Sequence, residues 1–153
     1  MDIDRIDAGI VGALQADGRR PFTQIARDLG ISEAAVRQRV ARLEAAGVMQ
    51  VVAVADPIQV GYKTMSMIGI SVEPGRREPV AEALRQLPEV AYLVLTAGSF
   101  DLLCEVVCED NDHLLRFLGS ELGRLDGIRR TETFVYLRLL KESYTWSMRR
   151  PTG

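Results

Sequence analysis

The chain has 153 residues, 47% of them apolar and 26% charged, which suits one ordinary globular domain or two small ones. Its net charge of −2 is spread evenly, with seven Arg against eight Asp or Glu in residues 1–62. That balance argues against a protein that coats nucleic acid by bulk charge, and no apolar run nears the roughly 18 residues of a membrane span.

The opening MDIDRID is acidic and unlike a secretion signal, and the two cysteines, Cys104 and Cys108, fall on one face of a predicted strand. Buried thiols fit that spacing better than a disulfide or a metal site, so a reducing cytoplasm is the expected location. Asp2 or Asp4 can cap a first helix with Ile6, Ile10 and Leu14 inward, and Asp7 offers a carboxylate to its first-turn amides. Asp17–Pro21 (DGRRP) then breaks the chain.

Thr23 to Ala46 reads as a helix-turn-helix. Thr23 caps its first helix with Phe22 as a staple, Gly30 supplies a left-handed stop, and Ser32 caps the second helix. Val36, Val40 and Leu43 make one apolar stripe; Ala34, Gln38, Ala41 and Arg42 lie opposite, with Arg37 on the flank. Short Ala and Ser let a helix sit deep in a major groove, while Gln and Arg reach base edges or phosphates. The competing reading is a solvated helix face. DNA affinity must come from the local cluster Arg37, Arg39 and Arg42, added over paired heads.

The β-branched stretch after Gly47 is expected to form a short wing or a linker strand, punctuated by Pro57 and Gly61 at the domain boundary. Beyond it, strands are predicted at Met65–Glu73, Val90–Thr96, Phe100–Cys108 and Ile128–Leu140. Helices are predicted at Pro79–Leu87 and after a cap at Asn111 or Asp112, with Gly127 ending the second. This βαββαβ order is an α+β sandwich with helices on one sheet face. Met65, Met67, Phe134 and Tyr136 alternate onto the other face, which fits burial against a second copy better than scattered surface residues. The tail with Trp146 and Arg149-Arg150-Pro151 is either docked or frayed.

Catalytic signatures are missing: there is no phosphate loop with Lys, no G-x-S-x-G, no H-E-x-x-H and no C-x-x-C. The lone His113 sits where an exposed or capping role is expected. The loop Thr96–Asp101 (TAGSFD) has one ligand reading: outward amides near Gly98 for a carboxylate, Asp101 for an ammonium, together a free α-amino acid. The alternative is an ordinary hairpin turn in which Asp101 bonds its own backbone.

Five segments in order carry a resemblance: D-x-x-D-x-x-I at Asp4–Ile10, then D-G-R-R-P, then I-A-R-D-L-G-I-S with V-R-Q-R-V-A-R-L-E-A-A-G-V, then D-P-x-x-x-G-Y at Asp56–Tyr62, and A-G-S-F-D-L-L at Ala97–Leu103. With them the chain resembles the Lrp/AsnC transcription regulators over essentially residues 1–145. The resemblance implies a winged helix-turn-helix (1–50), a linker strand (51–62), a ferredoxin-like effector-binding and oligomerisation domain (63–145) and a tail (146–153). It implies duplex DNA as partner, homodimers joined through the C-terminal sheets, further assembly to tetramers or octamers, no cofactor, and a small amino-acid-type effector between dimers. By position, Ser32, Ala34, Arg37, Gln38 and Arg42 match the DNA-facing surface. Arg39 matches too, although the helical wheel turns it towards the body, onto a phosphate or an internal carboxylate. Gly98, Ser99, Phe100 and Asp101 match the effector loop, and Thr131 and Thr133 the polar strand positions that help line it. Phe100 stands where such proteins often have Tyr, so a hydroxyl contact is lost and a more apolar effector, or none, is expected. Two rivals are a nucleoid-associated DNA-organising protein and a regulator-like tetrapyrrole decarboxylase, the latter poorly served by a single histidine.

Overall fold

The computed structural model describes residues 2–144, so expectations for Trp146 and the arginines after it lie outside the described residues. The chain divides into two compact units; residues up to Val54, with the segment from Lys141, form one and Ala55–Leu140 the other.

In the first unit α1 (Arg5–Ala16), α2 (Phe22–Leu29) and α3 (Glu33–Ala45) enclose a small core of Ile10, Leu14, Ile25, Ala26, Val36 and Val40. Asp4 is the N-cap of α1, and it forms a reciprocal capping box with Asp7. At α2 the expected cap is corrected. Pro21, with φ −61° and ψ 136°, is the last non-helical residue, and its carbonyl accepts from the Gln24 and Ile25 amides. Phe22 therefore begins the helix and Thr23 sits exposed inside its first turn. A proline ahead of a helix fixes the entry angle without any side-chain cap. Gly30 adopts φ 68°, the left-handed stop that its missing Cβ permits.

The stretch expected as a short wing or a linker strand is irregular. Among the described residues none from 46 to 63 belongs to a strand, and Val51, Val52 and Val54 are about half exposed or more. β-branched residues favour extended backbone, but a strand needs a hydrogen-bonding partner, and this stretch pairs with no strand among the described residues. Asp56–Tyr62 closes as turns, with Tyr62 N donating to the Pro57 carbonyl at 3.0 Å and Gly61 at φ 112°.

The second unit is a four-stranded antiparallel sheet, β2-β3-β1-β4, built from β1 (Thr64–Val72), β2 (Val90–Leu95), β3 (Leu102–Cys108) and β4 (Ile128–Val135). Helices α4 (Arg77–Arg85) and α5 (Asn111–Arg116) cover one face, α5 running on through a π turn and a 3-10 turn to Arg124. Ile68, Ile70, Leu102, Cys104 and Val106 meet Val80, Leu84, Leu114 and Phe117 in the core. This is the predicted ferredoxin-like order, with shifted ends. Asp110, not Asn111 or Asp112, caps α5, because the Asn111 side chain instead accepts from Thr64 Oγ1 at 2.9 Å. β4 stops at Val135 rather than Leu140, and Tyr136 just beyond it still donates its amide to the Met65 carbonyl at 2.9 Å.

Candidate nucleic-acid interface and ligand loop

Helix α3 is set by its cap and its stripe. Ser32 Oγ accepts from the Ala35 amide at 3.1 Å, and Val36 and Leu43 are fully buried. The opposite side carries Ala34, Arg37, Gln38, Ala41 and Arg42, all exposed. Arg37 pairs with Glu33 at 2.7 Å and lies 5.4 Å over the Phe22 ring, which holds the guanidinium at the rim of this face.

Arg39 and Arg42 both turn to an internal carboxylate. Asp7 is fully buried, and its carboxylate accepts from Arg39 Nη1 at 2.8 Å and from Arg42 Nη2 at 2.7 and 2.6 Å. Arg39 also donates to Asp4 at 2.6 Å. That bond and the Asp7 contact hold the Arg39 pKa above its ordinary value; the Asp7 amide, then Arg39, hold the Asp4 carboxyl below its own. Arg39 thus serves an internal carboxylate, whereas Arg42 keeps 49% of its side chain exposed while anchored. Sequence reasoning treated Asp7 as a cap alone. Its fixed spacing from Asp4 was the only local signal, and its partners lie more than 30 residues away.

The second site residues centre on the loop between β2 and β3. Thr96 closes it, donating from its amide to Asp101 O at 2.9 Å and from its hydroxyl to Phe100 O at 2.7 Å. The Asp101 amide bonds Ile70 O at 2.9 Å, which docks the loop onto β1. The Asp101 carboxylate is already engaged within the chain. It accepts from the Val72 amide at 2.9 Å, where the β1–β4 register shifts, and from Arg77 at 2.8 and 2.6 Å. The Val72 amide first, then Arg77, with Arg129 adding, hold this carboxyl below its usual range. Neither the ligand reading nor the self-bonded turn foresaw Arg77, since it comes from α4.

Phe100 lies on Gly69. A Cβ there would fall 2.6 Å from the ring, so only glycine admits this approach. Phe134 meets Phe100 edge-on at 6.5 Å, and the Arg130 guanidinium stands 5.9 Å from its centre. Gly98 and Ser99 are exposed, and Gly98 has no left-handed backbone. Thr131 and Thr133 are not brought to it. They stand opposite Ile70 and Ile68, on the helix side of the sheet, whereas Phe100 covers Gly69 on the other side. A cleft beside the loop is lined by Val72, Pro74, Gly75, Arg77, Asp101 and Arg129.

A three-helix head with a capped, small-faced third helix, joined to an α+β sheet unit, defines a DNA-binding regulator carrying a ligand-binding domain. Residues 3–44 match the AsnC-type helix-turn-helix domain and residues 65–146 the Lrp/AsnC ligand binding domain. The chain belongs to the Lrp/AsnC family of helix-turn-helix transcriptional regulators, which are not enzymes. An HTH-type transcriptional regulator of Pyrococcus abyssi is 36% identical over 145 residues, 94% of this chain and 92% of its own. The leucine response regulatory protein of Mycobacterium tuberculosis has a TM-score of 0.86 at 26% identity, over 95% of this chain and 99% of its own. A Neisseria meningitidis transcriptional regulator, solved as its L-Met complex, shares the fold at TM-score 0.82 and 24% identity, over 97% of each chain. No helix among the described residues is long and apolar enough to cross a membrane.

Proposed function

We propose that this regulator reads a specific duplex sequence with α3 and answers to a small amino acid held at the C-terminal unit, between copies of the chain. The observation that carries the DNA half is the exposed face of α3, where Ala34 and Ala41 leave room for bases between Arg37, Gln38 and the anchored Arg42. With a net charge of −2, one head binds weakly, and paired heads add their phosphate contacts. The sheet face away from the helices supports pairing, since Phe134 and Tyr92 there are 46% and 53% exposed.

For the effector half, the amides of the exposed residues Ala97, Gly98 and Ser99 receive a carboxylate, and Asp101 acts as the loop's anchor through Val72 and Arg77. Thr131 and Thr133 complete that site only from another copy, because in one chain they face away from the loop. The L-Met complex of the same-fold Neisseria protein suggests a small amino acid as ligand class. Phe100, without a hydroxyl, favours an apolar one. Ligand binding shifts the assembly only as far as it prefers one state, typically by about 1–3 kcal/mol of coupling.

The test selects duplexes from random DNA, then measures affinity and scattering mass with each amino acid in turn. The expected result is a preferred sequence, a dimer or larger assembly, and one amino acid that changes both. Binding of all duplexes alike would favour the DNA-organising alternative, and indifference to every amino acid would remove the effector half.

A further inference from the structure

Most side chains on α3 are explained by packing or by exposure, but Asp7 is explained by neither. It is a carboxylate from α1 with 1% of its side chain exposed, and four hydrogen bonds converge on it: one from Arg39, two from Arg42 and one from the Asp4 amide at 3.2 Å. Asp4, Asp7, Arg39 and Arg42 together carry two negative and two positive charges, so the cluster is neutral. Well-packed apolar side chains commonly join helices as well as a buried ion cluster does, so stability alone is weak grounds for one here. What a carboxylate adds is orientation. Both of its oxygens hold a single guanidinium nitrogen, Nη2, of the half-exposed Arg42, which restricts where that group can lie.

We propose that Asp7 is a positioning residue for DNA recognition: it locks the Arg42 fork on the reading face of α3 and cancels its charge, so that this arginine contributes register rather than bulk attraction. This rests on the reading of α3 as the recognition helix. An unpaired Arg42 would swing among many rotamers and seek any phosphate. The paired one meets DNA in a single orientation, and a phosphate or base edge placed elsewhere finds no donor. Sequence preference is thereby gained and sequence-blind affinity given up.

The test uses the full chain, a duplex it selects from random DNA, and a scrambled duplex of equal length, each over a range of salt. Asp7→Asn leaves the cluster with one positive charge in excess. The expected result is tighter binding of scrambled DNA at low salt, a steeper salt dependence by about one ion per head, and a selected-to-scrambled ratio reduced about tenfold or more. Arg42→Lys, at a half-exposed position that tolerates exchange, keeps the charge but loses the fork. Its expected result is an unchanged salt slope with a reduced ratio, and this variant decides the matter if Asp7→Asn fails to fold. A ratio kept at the wild-type value in Arg42→Lys overturns the proposal. So does an Asp7→Asn chain that loses affinity for both duplexes equally with no change in slope, which marks a merely structural carboxylate. A wild-type chain with no preference removes the recognition-helix reading itself, and this inference with it, a result distinct from a preference that survives in both variants.

Discussion

Replacing Gly69 by alanine tests how the ligand loop is held. The new Cβ would stand 2.6 Å from Cδ2 and Cε2 of Phe100 and 2.7 Å from Cγ. Carbon atoms rest about 3.5–4.0 Å apart, so the ring must retreat by on the order of 1 Å. It cannot slide freely, because Phe134 meets it edge-on and Arg130 stands over it. Overpacking of this kind costs about 1–3 kcal/mol. Release of the ring to solvent forfeits an edge-to-face contact of about 0.5–1.5 kcal/mol and a cation–π contact of about 0.5–1 kcal/mol, a similar total. Against this, alanine in a strand is favoured over glycine by roughly 0.5–1 kcal/mol. The net expectation is a loss of about 1–2 kcal/mol, as the cited terms combine. The assay is native-state hydrogen exchange of β1 and β4 amides, which reports the sheet unit separately from the head. The Phe100→Ala background supplies the control, since there the alanine at 69 meets no ring and should be neutral or slightly stabilising. An equal cost in both backgrounds would refute the packing argument.

Ser32→Ala removes the side-chain acceptor of the Ala35 amide and should lower the stability of the head by about 1 kcal/mol, read by thermal unfolding. Asp101 has a folded pKa below the ordinary aspartate value of 3.8, so its stabilising effect is full above that value and fades as pH falls through the lower folded one. Asp101→Asn should therefore weaken the sheet unit at neutral pH yet flatten its decline below about pH 4 in acid titrations. Burial pushes the Cys104 thiol up to about 12, with Glu105 adding to it. A thiol reagent at pH 8 should leave it unmodified until the protein is unfolded, and stability should decline as pH climbs from about 9 towards 12, where an exposed thiol ionises and this one does not.

Much of the fold is legible because local chemistry decides it. The Ser32 cap, the Gly30 stop and the stripe of Val36, Val40 and Leu43 each depend on near neighbours, and each stands where the pattern puts it. The same holds for the alternation of Ile68 and Ile70 along β1, which sets the helix-covered face. What the pattern misses depends on distant partners. The valines after Gly47 have strand propensity, yet pairing is a property of two segments. Asp7 looked like a local cap and Asp101 like an ammonium ligand or a self-bonded turn residue; Arg39 with Arg42 from α3, and Arg77 from α4, make them anchors. Thr131 and Thr133 were grouped with the ligand loop by the family resemblance, whereas strand register puts them, within one chain, on the other side of the sheet.

The Asp7 cluster also means that ionic strength acts on α3 in two unequal ways. Mobile ions weaken attraction to a polyanion across solvent, whereas a shielded carboxylate with its arginines feels them far less. Added salt should strip the chain from its target long before it loosens the joint between α1 and α3, leaving the reading helix already set for the next encounter.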